Sequence, residues 1–325
     1  MKLFDLHCDT IERMEEHGEN MLTENCQLSL RYLPQVEKWC QTFAIFIPDS
    51  KRGADAMEYY ERVRAYFHKM LDEHKDIVEF VHNADDIKRI TAAKKCAAVL
   101  SVEGAAVLGG KLENIEKLAR DGVKMMTLTW NFKNGLAEPN IVPGTDDMWP
   151  RPANTTGGLT EKGLEFVEEM QRLHMLVDVS HLSDAGIWDI LRVAKRPFVA
   201  SHSNARACCP HVRNLTDEML TAMGEKGCLI GLNYCASFLD TNPDRSQVRS
   251  RITDMARHAR YIMDKAGEDC LALGSDFDGI DGDLEIAGAQ DMPKLAEGMK
   301  KEGIPERVVE KIFYGNAVRF FSENL

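Results

Sequence analysis

The chain begins with an apolar run that ends in a histidine and an aspartate two residues apart. Residues 3–10 read LFDLHCDT. In an extended strand His7 and Asp9 project from the same face, because side chains alternate between the two faces. An imidazole beside a carboxylate is a ligand pair for a divalent metal such as zinc. The pair alone does not separate a metal site from a hydrogen-bonded histidine and a helix-capping aspartate.

Four later apolar runs also end in side chains that can bind a metal or carry a proton. These side chains are Glu103, His181, His202 and Asp276. Any one of them is more often a structural residue or a helix cap, but six such residues at strand ends of one sheet make coincidence implausible. Three protein ligands and an open position suffice for one catalytic zinc ion. Five ligands and a free carboxylate therefore indicate two metal ions, with Glu103 shared because a carboxylate offers two oxygens.

Eight apolar runs predict the strands that carry these residues. They span residues 3–9, 42–47, 97–104, 125–130, 176–181, 198–202, 228–234 and 271–276. Helical patterns separate most of them, at 163–173, 183–194, 216–223 and 251–266. Such alternation predicts an α/β fold with a parallel sheet covered by helices. The length of 325 residues and the lack of a glycine-rich turn after the first strand favour a (β/α)8 TIM barrel over an open sheet.

We predict one domain over residues 1–325, with a long loop at about 134–158 that is rich in proline, glycine and asparagine. The loop follows the fourth strand, at the carboxyl end of the barrel, where such barrels carry their chemistry. Loops of this length usually either cover an active site or are disordered.

The composition of the chain limits the classes of partner that we expect it to bind. The net charge of −12 argues against nucleic acid. The first strand begins too early for a signal peptide, and no apolar run reaches membrane-spanning length. Nine cysteines without a CxxC pair indicate reduced thiols. We therefore expect a cytoplasmic protein that binds neither nucleic acid nor membrane, and a homodimer is left open.

Taken together, the motifs resemble those of the renal, or membrane, dipeptidase family of zinc peptidases. The matching segments are FDLHCDT, SVEG, DVSHLS, SHSNAR, Arg213-Asn214 and LGSDFDGI, and they extend from residue 4 to about residue 316. The resemblance implies two zinc ions per chain and small dipeptide substrates. It assigns the ligands in two pairs with a bridge: His7 and Asp9, His181 and His202, and Glu103 between them.

The resemblance also implies roles for two residues outside the ligand set. Asp276 would take a proton from water and deliver it to the leaving amine. Arg213 would bind the C-terminal carboxylate of the dipeptide, because a guanidinium matches a carboxylate in bidentate fashion. The alternative for Arg213 is a solvated loop charge or a residue near a helix start. The stereochemistry accepted at the C-terminal residue, including a D-residue, is left open.

One position departs from the family pattern. Mammalian members carry a histidine after the fourth strand that is thought to stabilise the tetrahedral intermediate, whereas residues 127–131 here read TLTWN. Trp130 occupies the corresponding place, and its indole N–H donates a hydrogen bond but cannot become a cation or bind a metal. Trp130 is predicted either to contact the substrate or to pack the pocket wall.

Two other functions stay open from the sequence. One is a different metal-dependent amide hydrolase that acts on an N-acyl amino acid or a cyclic amide. Such barrels often bridge their metals with a carboxylated lysine after the fourth strand, where this chain has none, and Glu103 follows the third strand instead. The other is a metal-binding scaffold without catalysis, which has no need of a free carboxylate such as Asp276.

Overall fold

Short apolar runs form the strands of this structure, a computed structural model that describes residues 1–145 and 148–325. The strands are β1 Lys2–Asp5, β2 Lys38–Phe46, β3 Val78–Phe80, β4 Cys96–Glu103, β5 Val123–Thr127, β6 Leu176–Asp178, β7 Val199–Ala200, β8 Leu229–Leu232, β9 Arg249–Ser250, β10 Leu271–Leu273 and β11 Asp283–Leu284. Five of them are buried along their whole length, as expected for strands covered by helices: β4, β6, β7, β8 and β10.

Eight parallel strands close into a barrel in the order β1, β2, β4, β5, β6, β7, β8, β10. Closure is visible at β2, which pairs with β1 on one side and with β4 on the other. Lys2 is opposite Lys38 in the first pairing, and Phe46 is opposite Glu103 in the second. The predicted (β/α)8 TIM barrel is confirmed. β3 pairs in parallel with the first residues of β4, from Cys96 to Ala98. β9 pairs with β11 outside the barrel.

Helices surround the barrel. They are α1 Thr10–His17, α2 Gly53–Glu73, α3 Ala84–Ala92, α4 Leu112–Arg120, α5 Glu161–Arg172, α6 Asp184–Val193, α7 Asp217–Glu225, α8 Ala236–Leu239, α9 Ile252–Ala266, α10 Met292–Lys301, α11 Glu306–Glu310 and α12 Asn316–Asn324. The four predicted helices correspond to α5, α6, α7 and α9, with ends displaced by at most two residues. Hydroxyl caps explain three of the starts, because Thr160, Ser183 and Thr216 each accept a backbone N–H of the first turn.

Apolar side chains fill the amino end of the barrel. Phe4, Val99 and Met125 belong to one buried cluster with the C-terminal helix α12, and the rings of Phe4 and Phe321 lie 4.7 Å apart. A larger cluster packs the outer faces of the strands against the surrounding helices. The carboxyl end is left for polar side chains.

The segment from 128 to 160 joins β5 to α5 at that carboxyl end. Its described part is held by hydrogen bonds from Asn140 to the Asp184 carboxylate at 2.7 Å and from Asn154 to the Pro139 carbonyl at 3.1 Å. Residues 146 and 147 of the predicted loop lie outside the described residues. The single domain over 1–325 stays a prediction. Within the described chain, no helix combines the length and the apolar character that crossing a bilayer requires.

Candidate metal centre

His7, Asp9 and Glu103 converge on one side of the carboxyl rim. His7 and Asp9 follow β1, and Glu103 is the last residue of β4. His7 Nε2 lies 3.5 Å from Asp9 Oδ2 and 3.7 Å from Glu103 Oε2. Donor atoms of the three side chains all lie within 4.8 Å of one another, so a single ion can contact all three.

His181 and His202 converge on the other oxygen of the same glutamate. Glu103 Oε1 lies 2.9 Å from His181 Nε2 and 3.4 Å from His202 Nε2, and the two nitrogens are 3.1 Å apart. These residues form a second group that can hold an ion. The structure therefore brings together all five ligands predicted from the sequence, with Glu103 between the two groups.

The donor atoms fit a metal because the protein itself gives them no partner. His7 Nε2, Asp9 Oδ1 and Glu103 Oε1 are buried and have no hydrogen-bond partner. A buried polar atom left in this state costs about 1–3 kcal/mol, which a cation bound to imidazole nitrogen and carboxylate oxygen offsets. Gly279 keeps this space open, because a Cβ atom there would lie 2.1 Å from Asp9 Oδ2.

Neighbouring side chains orient the two histidines of the second group. His181 Nδ1 lies 2.9 Å from Asn131 Oδ1, which can only accept, so this nitrogen carries the proton and Nε2 is free. His202 Nδ1 lies 2.7 Å from the Ser201 hydroxyl, which donates to the Asp178 carboxylate. The Ser201 oxygen is then the acceptor for His202 Nδ1–H. Such outer contacts fix the ligand tautomer and ring orientation.

Burial and nearby charges shift the pKa values of the histidines in the two groups in opposite directions. Burial lowers the pKa of His181 to about 3 and also lowers that of His202, so both imidazoles are neutral, the form that binds metal. Burial also opposes protonation of His7, but the nearby carboxylates, Asp9 foremost, raise the His7 pKa to about 10. Burial raises the pKa of Asp9 to about 7. Burial opposes ionisation of Glu103 as well, yet the charge of His7 helps to hold its pKa well below the ordinary value.

Asp276 lies at the edge of both groups. Its Oδ1 is 3.8 Å from His7 Nε2, and its Oδ2 accepts a hydrogen bond of 2.9 Å from Asn233 Nδ2. With His7 and His202 it forms a third set of donors close enough to share an ion. The geometry is compatible with the predicted proton carrier and also with a further ligand.

Three of the five described non-glycine residues with a positive φ lie at this rim. His181, Asp276 and Asp278 have φ values of 71°, 65° and 68°. The left-handed region costs about 1–2 kcal/mol for residues with a Cβ atom. Strain of this kind persists where the surrounding structure imposes it, commonly at functional sites.

A cavity of about 430 Å³ opens onto the metal-binding residues. Arg213 lines it and is only 5% exposed. Its Nη2 is 3.5 Å from the His202 carbonyl oxygen, and its Nε has no partner. Within residues 1–145 and 148–325, no carboxylate oxygen lies within 4.0 Å of this guanidinium, so a buried cation faces the cavity without an anion.

Trp130 forms part of the cavity wall. Its ring lies 4.8 Å from that of Phe46 and 6.0 Å from that of His181. The ring is half-buried. Both predicted roles, packing and substrate contact, fit this position, and the assignment stays a prediction.

Several residues of the site were not found from the sequence. They are Glu12, Asn131, Asp178, Ser201 and Asn233. Asp178 carried a usable signal, because a charged residue inside an otherwise apolar strand needs a buried partner. Asn131, Ser201 and Asn233 each contact a side chain 23 to 50 residues away, and no local pattern indicates those contacts. Glu12 has the sequence position of an ordinary glutamate in a first helical turn.

A parallel barrel with two groups of histidine and carboxylate donors at its carboxyl rim defines a metal-dependent hydrolase. The model of the membrane dipeptidase family, peptidase family M19, matches residues 1–324. The chain belongs to this family, which confirms the resemblance seen in the motifs. It is thus a metallopeptidase, an enzyme that hydrolyses peptide bonds.

Two relatives are similar in sequence to most of this chain. The chain is 33% identical over 237 residues to an uncharacterized protein in the pqqA 5′ region of Klebsiella pneumoniae, covering 73% of this chain and 85% of that one. It is 31% identical over 258 residues to dipeptidase tcpJ of Claviceps purpurea, covering 78% of this chain but only 57% of that protein.

Two solved structures have the same fold. The dipeptidase AC, a metallopeptidase of family M19, is 26% identical with a TM-score of 0.90, over 100% of this chain and 98% of that one. A metallopeptidase from Rhodobacter sphaeroides, solved with a phosphinate mimic of the dipeptide L-Ala-D-Ala, is 24% identical with a TM-score of 0.89. That match covers 100% of this chain and 99% of the Rhodobacter chain.

Proposed function

We propose that this metallopeptidase is a dipeptidase with two zinc ions per chain. The observation that carries the proposal is the pair of donor groups that share Glu103, beside a cavity with a buried and unpaired guanidinium. The first feature suits a two-metal hydrolase, and the second suits a substrate with a free carboxylate close to the bond that is cut.

The ligand set divides between the two ions. His7 and Asp9 would hold one zinc ion, His181 and His202 the other, and Glu103 would contact both. Zinc ions bound in this way polarise the scissile carbonyl and activate a water molecule at neutral pH. Zinc is favoured because imidazole nitrogen with carboxylate oxygen is its usual ligand set in catalytic sites.

Asp276 is the proposed proton carrier. Its Oδ2 is held by Asn233, which leaves Oδ1 facing His7 and the centre. A carboxylate in this place can take the proton of the attacking water and pass it to the leaving amine. This transfer is required because an amine leaves a tetrahedral intermediate readily only after it is protonated.

Arg213 is the proposed anchor for the C-terminal carboxylate. Its burial strengthens a charge-assisted bond, because the surrounding dielectric is low. The guanidinium lies beside the His202 carbonyl, and therefore beside the metal-binding residues. An anchor so close to the centre leaves room for one residue after the scissile bond, which selects dipeptides. Trp130 would contact the substrate from the cavity wall.

Dipeptides with a D-residue at the C-terminus are included in the proposal. Support comes from the Rhodobacter sphaeroides relative, whose bound ligand mimics L-Ala-D-Ala. The cytoplasmic location also belongs to the proposal and is supported by nine unpaired cysteines. The homodimer stays a prediction.

A substrate panel tests the function. L-Ala-L-Ala, L-Ala-D-Ala, the C-terminal amide of each, L-Ala-L-Ala-L-Ala and N-acetyl-L-alanine are incubated with zinc-loaded and with chelated protein. Hydrolysis of the free dipeptides alone, lost on chelation and regained with zinc, is expected. Equal hydrolysis of dipeptides and their amides would contradict the assignment of Arg213. Preference for N-acetyl-L-alanine would instead identify an N-acyl amino acid hydrolase.

A further inference from the structure

Glu12 is a buried carboxylate in the same cavity, and the proposed chemistry does not use it. Its side chain lines the cavity, is 6% exposed, and leaves Oε1 without a hydrogen-bond partner. Among residues 1–145 and 148–325, no lysine, arginine or histidine nitrogen lies within 4.0 Å of its oxygens. A carboxyl group buried in this state ionises only with a cation beside it, and the described residues supply none.

Helix capping does not account for Glu12. Asp9 is the N-cap of α1, and Glu12 is the third residue of the helix. A glutamate there commonly accepts the backbone N–H of the N-cap residue. The Asp9 N–H instead donates to the Phe277 carbonyl oxygen at 2.9 Å, and Asp9 makes no side-chain cap bond.

A metal ion does not account for Glu12 either. Within the described residues, Glu12 belongs to none of the groups of donors close enough to share an ion. Glu12 nevertheless lies close to the centre, because it belongs to the first turn after the proposed ligand Asp9 and lines the same cavity as Asp9 and Glu103. Burial first, then the charges of Asp9 and Glu103, raise the pKa of Glu12 well above its ordinary value.

Glu12 and Arg213 line the same cavity but have different neighbours in the metal centre. Arg213 acts electrostatically on His181 and His202, and it also lines a second cavity of about 350 Å³ that Glu12 does not reach. Glu12 acts with Asp9, on the side of the first donor group. The cavity therefore has a cation without a carboxylate partner near His181 and His202, and a buried carboxyl group without a cation near Asp9.

We propose that Glu12 is a specificity-determining residue that binds the N-terminal ammonium group of the substrate. This inference rests on the proposed dipeptidase function and names the substrate class more closely. A dipeptide carries its ammonium group on the carbon next to the scissile carbonyl, so with that carbonyl at the metal centre the ammonium group lies beside it. An N-acyl amino acid has no such charge, and it would leave Glu12 buried without a partner.

The test compares two ligands that differ only in the ammonium group. They are the phosphinate analogue of Ala-Ala and the same molecule with hydrogen in place of the amino group. Binding is measured by calorimetry with zinc-loaded protein, and hydrolysis of Ala-Ala and propionyl-alanine is measured in parallel. Variants Glu12→Gln and Glu12→Asp are compared with Glu16→Gln, which removes an equal charge from the cavity mouth one turn further along α1.

For the unmodified protein, we expect the ammonium ligand to bind more tightly than its counterpart. Glu12→Gln should weaken binding of the ammonium ligand by about 10- to 100-fold, as expected for losing a hydrogen bond between charged groups. The counterpart should bind as before, Glu12→Asp should be intermediate, and Glu16→Gln should resemble the unmodified protein. The zinc content of every variant should be unchanged.

Two results would overturn the role of Glu12. One is an equal change for both ligands in Glu12→Gln, which would make the residue structural. The other is loss of zinc from that variant, which would place it in the metal centre. If Glu12 selects the ammonium ligand while no dipeptide is hydrolysed, the proposed hydrolysis fails and the role of Glu12 stands.

Discussion

The amino end of the barrel is filled with apolar side chains, whereas the carboxyl rim holds buried charges and left-handed backbone. Phe4 and Phe321 are at most 1% exposed and pack against each other at the amino end. At the rim, Glu103 and Arg213 are almost as deeply buried, yet each has an atom without a hydrogen-bond partner. The amino end of the barrel thus stabilises the fold, whereas the carboxyl rim holds polar atoms that are free to bind ligands.

This difference has a physical cost at the rim. Burying an apolar ring stabilises the fold by about 1.5–3 kcal/mol, while an unpaired buried polar atom costs about 1–3 kcal/mol. Changes at the amino end should therefore affect stability, and changes at the rim should affect chemistry. Substitutions at the two ends of the barrel test this separation of stability from chemistry.

Glu103→Gln should have the largest effect on activity. The substitution removes the charge placed between both donor groups, so zinc should be lost from both and turnover should fall further than in any other variant here. The expected loss exceeds the roughly 10²–10⁴-fold that removal of a proton carrier costs. Metal analysis and dipeptide assays check this, with Glu16→Gln as the charge control. Retention of two zinc ions would remove Glu103 from the bridging position.

Asp276→Asn should come next. The amide keeps the shape of the side chain but cannot accept a proton, so turnover should fall by roughly 10²–10⁴-fold. Zinc content should be unchanged. Near-normal turnover would exclude Asp276 from the mechanism, and parallel loss of zinc would make it a ligand, as its place near His7 and His202 also permits.

Arg213→Met should lower activity on dipeptides by about 10- to 100-fold, the loss expected for a charge-assisted hydrogen bond. The effect should lie mainly in KM, because the proposed role of Arg213 is to bind the end of the substrate that does not react. The C-terminal amides provide the control, since these poor substrates should be unaffected. A similar loss for amides and free dipeptides would assign Arg213 a structural role.

Phe321→Ala should have the smallest effect on activity and the largest on stability. Loss of a fully buried ring typically costs about 3–5 kcal/mol of unfolding free energy, measurable by urea denaturation. The kcat/KM per folded molecule and the zinc content should match the unmodified protein, because the ring lies at the amino end with Phe4. A loss of zinc in the folded variant would show that the two ends are coupled.

The fold could be read from the sequence because each barrel strand is a nearly continuous apolar run. The start of β2 at Lys38 was missed by four residues, since Gln41 interrupts the apolar pattern; it is buried and bonds to Asp5. β3, β9 and β11 were missed because each is short and contains a charged residue, so none of them forms an apolar run.

The convergence of the candidate metal-binding residues was predictable because their positions at strand ends bring them to one rim. The residues that orient them were not. Asn131 contacts His181 across 50 residues of chain, and only the closed barrel brings the two together. Glu12 has the sequence position of an ordinary helix-start glutamate, and its lack of a capping bond is visible only in three dimensions.

The measurement that tests the account most directly is the zinc-to-protein ratio of fully active, unmodified protein prepared without chelator. Two donor groups that share Glu103 predict a ratio near two, with activity on Ala-Ala rising as the second equivalent binds. A ratio near one at full activity would contradict the binuclear centre.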